Sequence, residues 1–517
     1  MALPPVLSPS ESDSWDRLAE TAGIPPSTLM ESAARAAAAT LGLRYGPSLG
    51  QGTVVAAGLG NNGGDGWALA RALHRLGAPV WVAPLPGEPS PLCADVAARA
   101  RAEGVRELPP DGPWPAVALA VDALLGTGAR GAPRAPAMAL AERLADLSVP
   151  VVALDGPTGI DLGTGVVHGA ARADLSITFG GLRRGHLLAR DEVGDIVVVD
   201  IGHPPPAADW PRLVTDRWAA ERLPVFRASF HKGDRGRVVI VGGETGMSGA
   251  VRLAARAAFA AGSGLVHAAA PADTLAALRS AEPDVQTTLL DLDGEPSADL
   301  LELVGKADAL VIGPGLGRAE GRRRLVGALV RAARAALLDA DAITAFQGRA
   351  GELAELAAGT PLILTPHPGE FRSLFPELAS LRETDPWGAG ARAAEQLGAV
   401  VVLKGVPTVI AQPGAAAYTV AAGNPGLATG GSGDVLSGIV GAFLAQGLSA
   451  VVAGTLGAQA LGRAADVAAR RLTSRALRPM DVIASLGDVW REWKLALAPA
   501  GPVHPPLILE LPRPTET

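Results

Sequence analysis

The sequence predicts an α/β protein built from two doubly wound domains. Its 517 residues exceed what one hydrophobic core usually fills. Short β-rich apolar runs alternate with long Ala/Leu/Arg helices, the pattern of parallel sheets covered on both faces. A proline-dense interruption, His203-Pro-Pro-Pro-Ala-Ala-Asp-Trp-Pro211, separates two such series. These observations place domains at 1–205 and 218–495, a linker at 206–217 and an aperiodic, frayed tail at 496–517.

Composition narrows the function classes. A formal charge of -7 gives no electrostatic case for nucleic acid. The dense basic run Gly321-Arg-Arg-Arg324 reads as a solvated helix face. No apolar stretch approaches the roughly 18 residues of a membrane span, and the N-terminus lacks a basic-then-apolar leader. The lone Cys93 excludes an internal disulfide framework and suits a reducing compartment. A cytoplasmic homo-oligomer acting on small molecules, without membrane or nucleic-acid partners, is expected.

In the first series the strands are expected at 53–57, 80–83, 116–121, 149–154 and 175–178, with an edge strand at 195–200. The first runs into Gly58-Leu-Gly-Asn-Asn-Gly-Gly-Asp-Gly66, followed by a helix expected at 67–76. This turn matches a dinucleotide fingerprint formally, but no acid for a ribose lies between Arg71 and Gly87. Two further strands end in Asp122, ahead of a second glycine turn, and in Asp155-Gly-Pro-Thr158. In an open parallel sheet these residues share the carboxyl edge where ligands bind. Their amide, carboxylate and hydroxyl oxygens suit a hard cation rather than zinc. The plainer alternative is that each Asp caps the following helix.

The Gly-Asn-Asn-Gly-Gly-Asp-Gly run, Val121-Asp-Ala-Leu-Leu-Gly-Thr-Gly128 and Asp155-Gly-Pro-Thr-Gly-Ile-Asp161 resemble the NAD(P)H-hydrate epimerase family over residues 10–203. The resemblance implies a Rossmann-like three-layer sandwich. It implies hydrate binding by Asn61, Asn62, Gly63, Gly64 and Asp65, by Gly126, Thr127, Gly128, Ala129, Arg130, Gly131 and Ala132, and by Asp155. It also implies potassium (K+) on Asn62, Asp122 and Thr158, with Asp155 as the proton-transfer residue. Three positions depart from the family pattern: Ser32 for Asn, Thr158 for Ser, and Arg183 or Arg184 for a lysine. The last exchange removes a titratable amine.

The second series starts at Arg237-Val-Val-Ile-Val-Gly-Gly243 and ends its strands in chemistry. Ile312-Gly-Pro-Gly-Leu-Gly317, Leu338-Asp-Ala-Asp341, Leu364-Thr-Pro-His367-Pro-Gly-Glu370 and Val402-Leu-Lys404-Gly follow in order. A hairpin is expected around Pro413-Gly414. Asn424-Pro-Gly-Leu-Ala-Thr-Gly-Gly-Ser-Gly-Asp434 then reads as a glycine turn opening a helix, with an acid in its first turn. Such a turn gathers N–H groups around an anion. An acid beside it is suited to take a proton from a hydroxyl that attacks phosphate. Neither a P-loop nor the protein-kinase motif set is present. Taken singly, His367 reads as a satisfied loop histidine and Lys404 as a surface charge.

Together these motifs resemble the ribokinase superfamily, in its ADP-dependent NAD(P)H-hydrate dehydratase branch, across residues 218–493. The resemblance implies a ribokinase-like three-layer sandwich. It implies hydrate contacts from Ala250, Gly317, His367 and Asp434, and nucleotide contacts from Lys404, Gly405, Val406, Pro407, Thr408 and Gly433. Asp434 is the expected base, ADP the co-substrate and Mg2+ its companion. Alternatives are a vitamin or sugar kinase with an appended nucleotide-binding domain, and a first domain that only binds a protein or lipid carrier.

Overall fold

A computed structural model describes residues 3–109, 112–169, 172–497 and 507–512. The chain divides into two compact units, one running to Trp210 and including the C-terminal strand, the other beginning at Pro211.

The first unit carries an eight-stranded sheet. From edge to edge it runs Leu507–Leu511, Asp195–Val199, Leu175–Phe179, Val151–Leu154, Leu119–Ala123, Thr53–Ala57, Val80–Pro84 and Arg106–Glu107. Every pairing is parallel except the first. Period-two alternation distributes the strand residues over two cores. Val55 and Ala57 pack with helices Pro26–Leu49, Asn61–Arg75 and Pro91–Ala102, whereas Val54 and Ala56 pack with helix Ala135–Ala145. The result is the expected α/β layering.

Several boundaries differ from expectation: the strands expected at 116–121 and 149–154 run Leu119–Ala123 and Val151–Leu154, and three further differences change how a segment is used. The helix expected at 67–76 begins at Asn61, capped by Gly60. Its glycines serve contact rather than looping. A Cβ on Gly63 would sit 1.9 Å from the Gly58 carbonyl oxygen, and one on Gly66 would sit 2.6 Å from the Ala123 Cβ. Glycine's low helix propensity disguises a helix pressed against strand ends. In the expected frayed tail, Leu507–Leu511 instead pairs antiparallel with Asp195–Val199, so the latter is not an edge. Arg190 donates to the Leu511 carbonyl at 3.2 Å, and Arg44 pairs with both Asp195 and Glu510. Within the expected linker, Arg212–Leu213 pairs parallel with Tyr418–Val420, and Thr215 caps helix Asp216–Arg222.

The second unit carries a ten-stranded sheet. Its order is Arg212–Leu213, Tyr418–Val420, Thr408–Ala411, Val400–Leu403, Leu362–Leu364, Ala336–Leu338, Ala309–Ile312, Arg237–Val241, Leu265–Ala270 and Gln286–Leu289. Thr408–Ala411 and Tyr418–Val420 form the expected hairpin. Helix Ser432–Ala445 lies between this sheet and helix Ser248–Ala260. A Cβ on Gly441 would sit 2.3 Å from Val311, and one on Gly438 2.1 Å from the Ala254 carbonyl oxygen. The Arg322 side chain is not on a solvated face. It is 2% exposed, donating to Glu244 and Asp293 at 2.8 Å each and to the Leu316 carbonyl. Among the described residues no helix is long and apolar enough to cross a membrane.

Candidate functional sites

In the first unit, strand Val151–Leu154 delivers Asp155 into the left-handed region, at φ 62°. Such a backbone is strained for a side-chain-bearing residue and needs support. His186 supplies part of it. The ring is fully buried, its Nδ1 accepts from the Arg183 N–H at 3.0 Å, and its Nε2–H donates to the Asp155 carbonyl. Burial pushes its pKa down to about 4, so the ring is neutral at neutral pH.

The Asp155 carboxylate is held from two sides. Thr127 donates from its backbone N–H at 2.8 Å and from its hydroxyl, and a guanidinium nitrogen of Arg183 lies 3.3 Å away. Arg183 also donates through Nε to the Thr127 hydroxyl oxygen at 2.7 Å. Burial alone would raise the carboxyl pKa. The Arg183 charge, with the Thr127 hydrogen bonds, outweighs it and holds Asp155 below the usual value. Arg184 instead pairs with Glu11. Of the two arginines, Arg183 is therefore the one that enters the site.

Asp122 lies inside strand Leu119–Ala123 and is 1% exposed. Its carboxylate accepts from the Leu124 N–H, the Thr158 N–H at 2.7 Å and the Thr158 hydroxyl at 2.8 Å. Burial raises its pKa against these hydrogen bonds. Asn62 is also buried, and neither its amide oxygen nor its amide nitrogen has a hydrogen-bond partner. Buried amides are rarely left so, and an unmet oxygen is an opening for a cation. Gly126 adjoins both groups: a Cβ there would lie 3.1 Å from Asp155 Oδ2 and 3.2 Å from Asn62.

The other expected contacts spread around this centre. Asn61 is exposed at the helix start, and Gly128, Arg130, Gly131 and Ala132 are exposed in the following loop, with Ala129 half-buried. Gly63 and Gly64 are buried, and a Cβ on Gly64 would meet Met30 at 2.7 Å. They can offer backbone only. Asp65 is half-buried one turn into the helix, where burial and the Asp155 charge hold its carboxyl well above the usual range.

In the second unit, Asp434 stands in the first turn of helix Ser432–Ala445, behind Gly431 at φ 99°. Burial, and then the neighbouring Asp339 charge, push its pKa to about 7. Lys404 acts in the opposite direction. Its amine is not a free surface charge: it donates to Asp339 at 2.8 Å and lies 3.8 Å from Glu370. A Cβ on Gly433 would be 3.5 Å from that amine and 3.4 Å from Asp339 Oδ2. Asp339, 1% exposed, also accepts from the Thr365 and Ser437 hydroxyls. The Lys404 charge and these donors overcome burial and lower its pKa.

His367 caps helix Pro368–Leu374: its Nδ1 accepts from the Gly369 and Glu370 N–H groups, and Glu370 accepts from the His367 N–H. The Gly313, Gly315 and Gly317 turn faces helix Ser248–Ala260, and a Cβ on Gly315 would lie 3.3 Å from the Ala250 Cβ. Gly317 donates to Asp341 at 3.0 Å. Val406 is exposed, and Thr408 donates to the Gly405 carbonyl. Sequence reasoning missed His186, Asp339, Glu370 and Ser437 as site residues. Asp339 and Glu370 were readable as polar residues at or just beyond strand ends, whereas His186 and Ser437 carry no motif.

Comparison with known proteins agrees with the division into two units. Residues 26–185 match the model of the YjeF-related protein N-terminus, and residues 238–486 match that of NAD(P)H-hydrate dehydratase. The bifunctional NAD(P)H-hydrate repair enzyme Nnr of Salinibacter ruber is 39% identical over 505 residues, covering 90% of this chain and 92% of its own. That of Escherichia coli is 37% identical over 448 residues, covering 84% of each. A solved ADP/ATP-dependent NAD(P)H-hydrate dehydratase from Bacillus subtilis, co-crystallised with ATP and Mg2+, is 25% identical. It covers 54% of this chain and 97% of its own, with a TM-score of 0.47.

Proposed function

The chain belongs to the bifunctional NAD(P)H-hydrate repair enzymes, and from that membership we propose how its two units divide the work. The first interconverts the R and S epimers of hydrated NADH and NADPH. The second removes water from the S epimer, using ADP and yielding AMP and phosphate. Cytoplasmic location and a homo-oligomeric assembly belong to the same reading.

At the first site, the ring nitrogen lone pair expels the hydroxyl and leaves a planar iminium carbon. The departing hydroxyl takes a proton from solvent and leaves as water, and the ionised Asp155 takes the proton of the water that adds back on either face and returns it to solvent. The carboxylate also balances the positive charge of the planar carbon. The first-turn N–H groups of helix Asn61–Arg75 suit the pyrophosphate. Asn62, Asp122 and Thr158 fit a monovalent cation better than a transition metal: they offer mixed oxygens, one of them unpartnered. No trio of His, Cys, Asp or Glu forms a metal cluster among the described residues. Potassium held there would supply a positive charge beside the substrate.

Epimer exchange is accordingly expected to fall when tetramethylammonium replaces potassium at equal ionic strength, and to recover on adding KCl. Dehydration by the second unit serves as the internal control, and equal exchange in both salts would remove the cation from the account. Arg183→Met should move the acid limb of epimer exchange to higher pH. The variant lacks the charge that opposes burial of Asp155, so the carboxyl becomes harder to ionise. A pH–rate profile checks this.

At the second site, Asp434 takes the proton of the ring hydroxyl as its oxygen attacks the terminal phosphate of ADP. The first-turn amides of helix Ser432–Ala445 and the Lys404 amine stabilise charge on the transferring group. The phosphate then leaves, pushed out by the ring nitrogen lone pair, and the ring carbon beside the resulting iminium gives up a proton to solvent, which restores the dihydronicotinamide. Lacking a multi-carboxylate cage among the described residues, the site fits Mg2+ carried chiefly by nucleotide phosphates and water.

The observation that carries the reading is the contrast between two carboxylates: Asp155 held ionised, and Asp434 raised to about 7. They lie one in each unit, each inside a matching family region. Incubating mixed epimers with the chain and ADP, and following dihydronicotinamide absorbance, tests the pair of activities. Recovery of both epimers is expected. A requirement for a pyrimidine or sugar acceptor would favour the kinase alternative.

A further inference from the structure

We infer that Arg382 is a phosphate-binding residue of the second unit, donating to the phosphate oxygens of a nucleoside diphosphate seated on loop 404–408. The inference rests on the nucleotide reading of that loop given above.

Arg382 lies on helix Ala379–Thr384 and reaches the loop with its guanidinium. Its Nη2 is 3.5 Å from the Lys404 carbonyl oxygen, the outer limit of a hydrogen bond, and would be 3.3 Å from a Cβ on Gly405. Glycine at 405 therefore leaves the approach to the guanidinium open. Arg382 Nε is buried with no hydrogen-bond partner, and no ion pair to Arg382 occurs among the described residues. Its chain neighbour Glu383 lies 3.9 Å from Arg372, and its charge reaches Arg382 only through space, without an ion pair. Burial lowers the pKa of this guanidinium, which nevertheless stays charged in proteins.

Two neighbouring cations among the described residues are already matched. Lys404 is neutralised by Asp339 and Glu370, and Arg318 by Asp341. A diphosphate arriving at the loop would thus find one charged donor group not committed to a carboxylate. A half-buried, unpaired guanidinium is unfavourable until an anion meets it. Its planar fork matches two phosphate oxygens, whereas a lysine acts as a point charge. The competing explanation is that Arg382 merely braces the loop through the Lys404 carbonyl.

Arg382→Gln and Arg382→Lys in the full chain separate these, with Glu383→Gln as a charge-change control. ADP and adenosine affinities are read by calorimetry, and KM values for ADP and hydrate by the absorbance assay. ADP binding by Arg382→Gln should weaken roughly tenfold to a hundredfold, the effect of losing a charge-assisted pair. Arg382→Lys should fall between it and wild type, and adenosine affinity and hydrate KM should stay unchanged. ADP affinity within twofold of wild type in Arg382→Gln overturns the inference and leaves the nucleotide reading standing. Equal loss of ADP and adenosine assigns Arg382 to loop bracing and also overturns it. A wild-type chain that binds neither ADP nor ATP removes the nucleotide reading and the inference with it.

Discussion

Asp434→Asn is expected to lower ADP-driven recovery of NADH by about a hundredfold to ten-thousandfold, the usual contribution of a positioned general base. Epimer exchange should be unaffected. Asparagine keeps the shape of the side chain in the first turn of helix Ser432–Ala445 but cannot take the hydroxyl proton. The wild-type rate should also depend on pH in a defined direction. Burial and the Asp339 charge raise Asp434 to about 7, and the base works only when ionised. Activity therefore rises as pH passes upward through about 7 and levels off above it. A wild-type rate already flat from pH 5 to 8, with chemistry limiting, would assign proton removal to another group.

Asp155→Asn should stop epimer exchange to a similar degree, about a hundredfold or more, and here stability moves as well. Arg183 is 6% exposed and Asp155 7%, so the variant leaves a buried guanidinium without its counter-charge. Breaking such a pair from one side costs about 3–5 kcal/mol. The melting transition of the first unit should fall accordingly. The double variant Asp155→Asn/Arg183→Met should regain much of that stability without regaining exchange. Recovery of exchange in the double variant would mean that Asp155 serves the fold rather than the reaction.

The legible parts of this chain were those in which local pattern and tertiary role coincide. The apolar runs became strands because both sheet faces are covered, and the turn before Asp434 opens a helix as its glycines suggested. Errors arose where glycine has two uses. Gly63 and Gly66 read as loop residues, yet they let helix Asn61–Arg75 rest on the strand ends. Charge was similarly ambiguous. Arg322 and Lys404 look like surface residues in sequence and are committed to carboxylates in space. The choice between Arg183 and Arg184 depended on which neighbour turns inward, Asp155 or Glu11. His186 was beyond reach, because its function is to hold the backbone of Asp155, 31 residues away in the chain. Proline content hid the strand Leu507–Leu511, whose partner becomes visible only once the sheet is assembled.

The central claim is that one chain holds two separate chemistries that act in series on the same molecule. The most direct measurement supplies a single purified epimer, the R hydrate, with ADP to wild type, Asp155→Asn, Asp434→Asn and an equal mixture of the two variants. Each variant alone should give recovery no faster than spontaneous epimerisation allows, or none. The mixture should restore recovery towards the wild-type rate, because each variant retains the unit the other lacks. A mixture that remains as slow as the Asp155→Asn variant alone, with both variants folded, would contradict two independent sites.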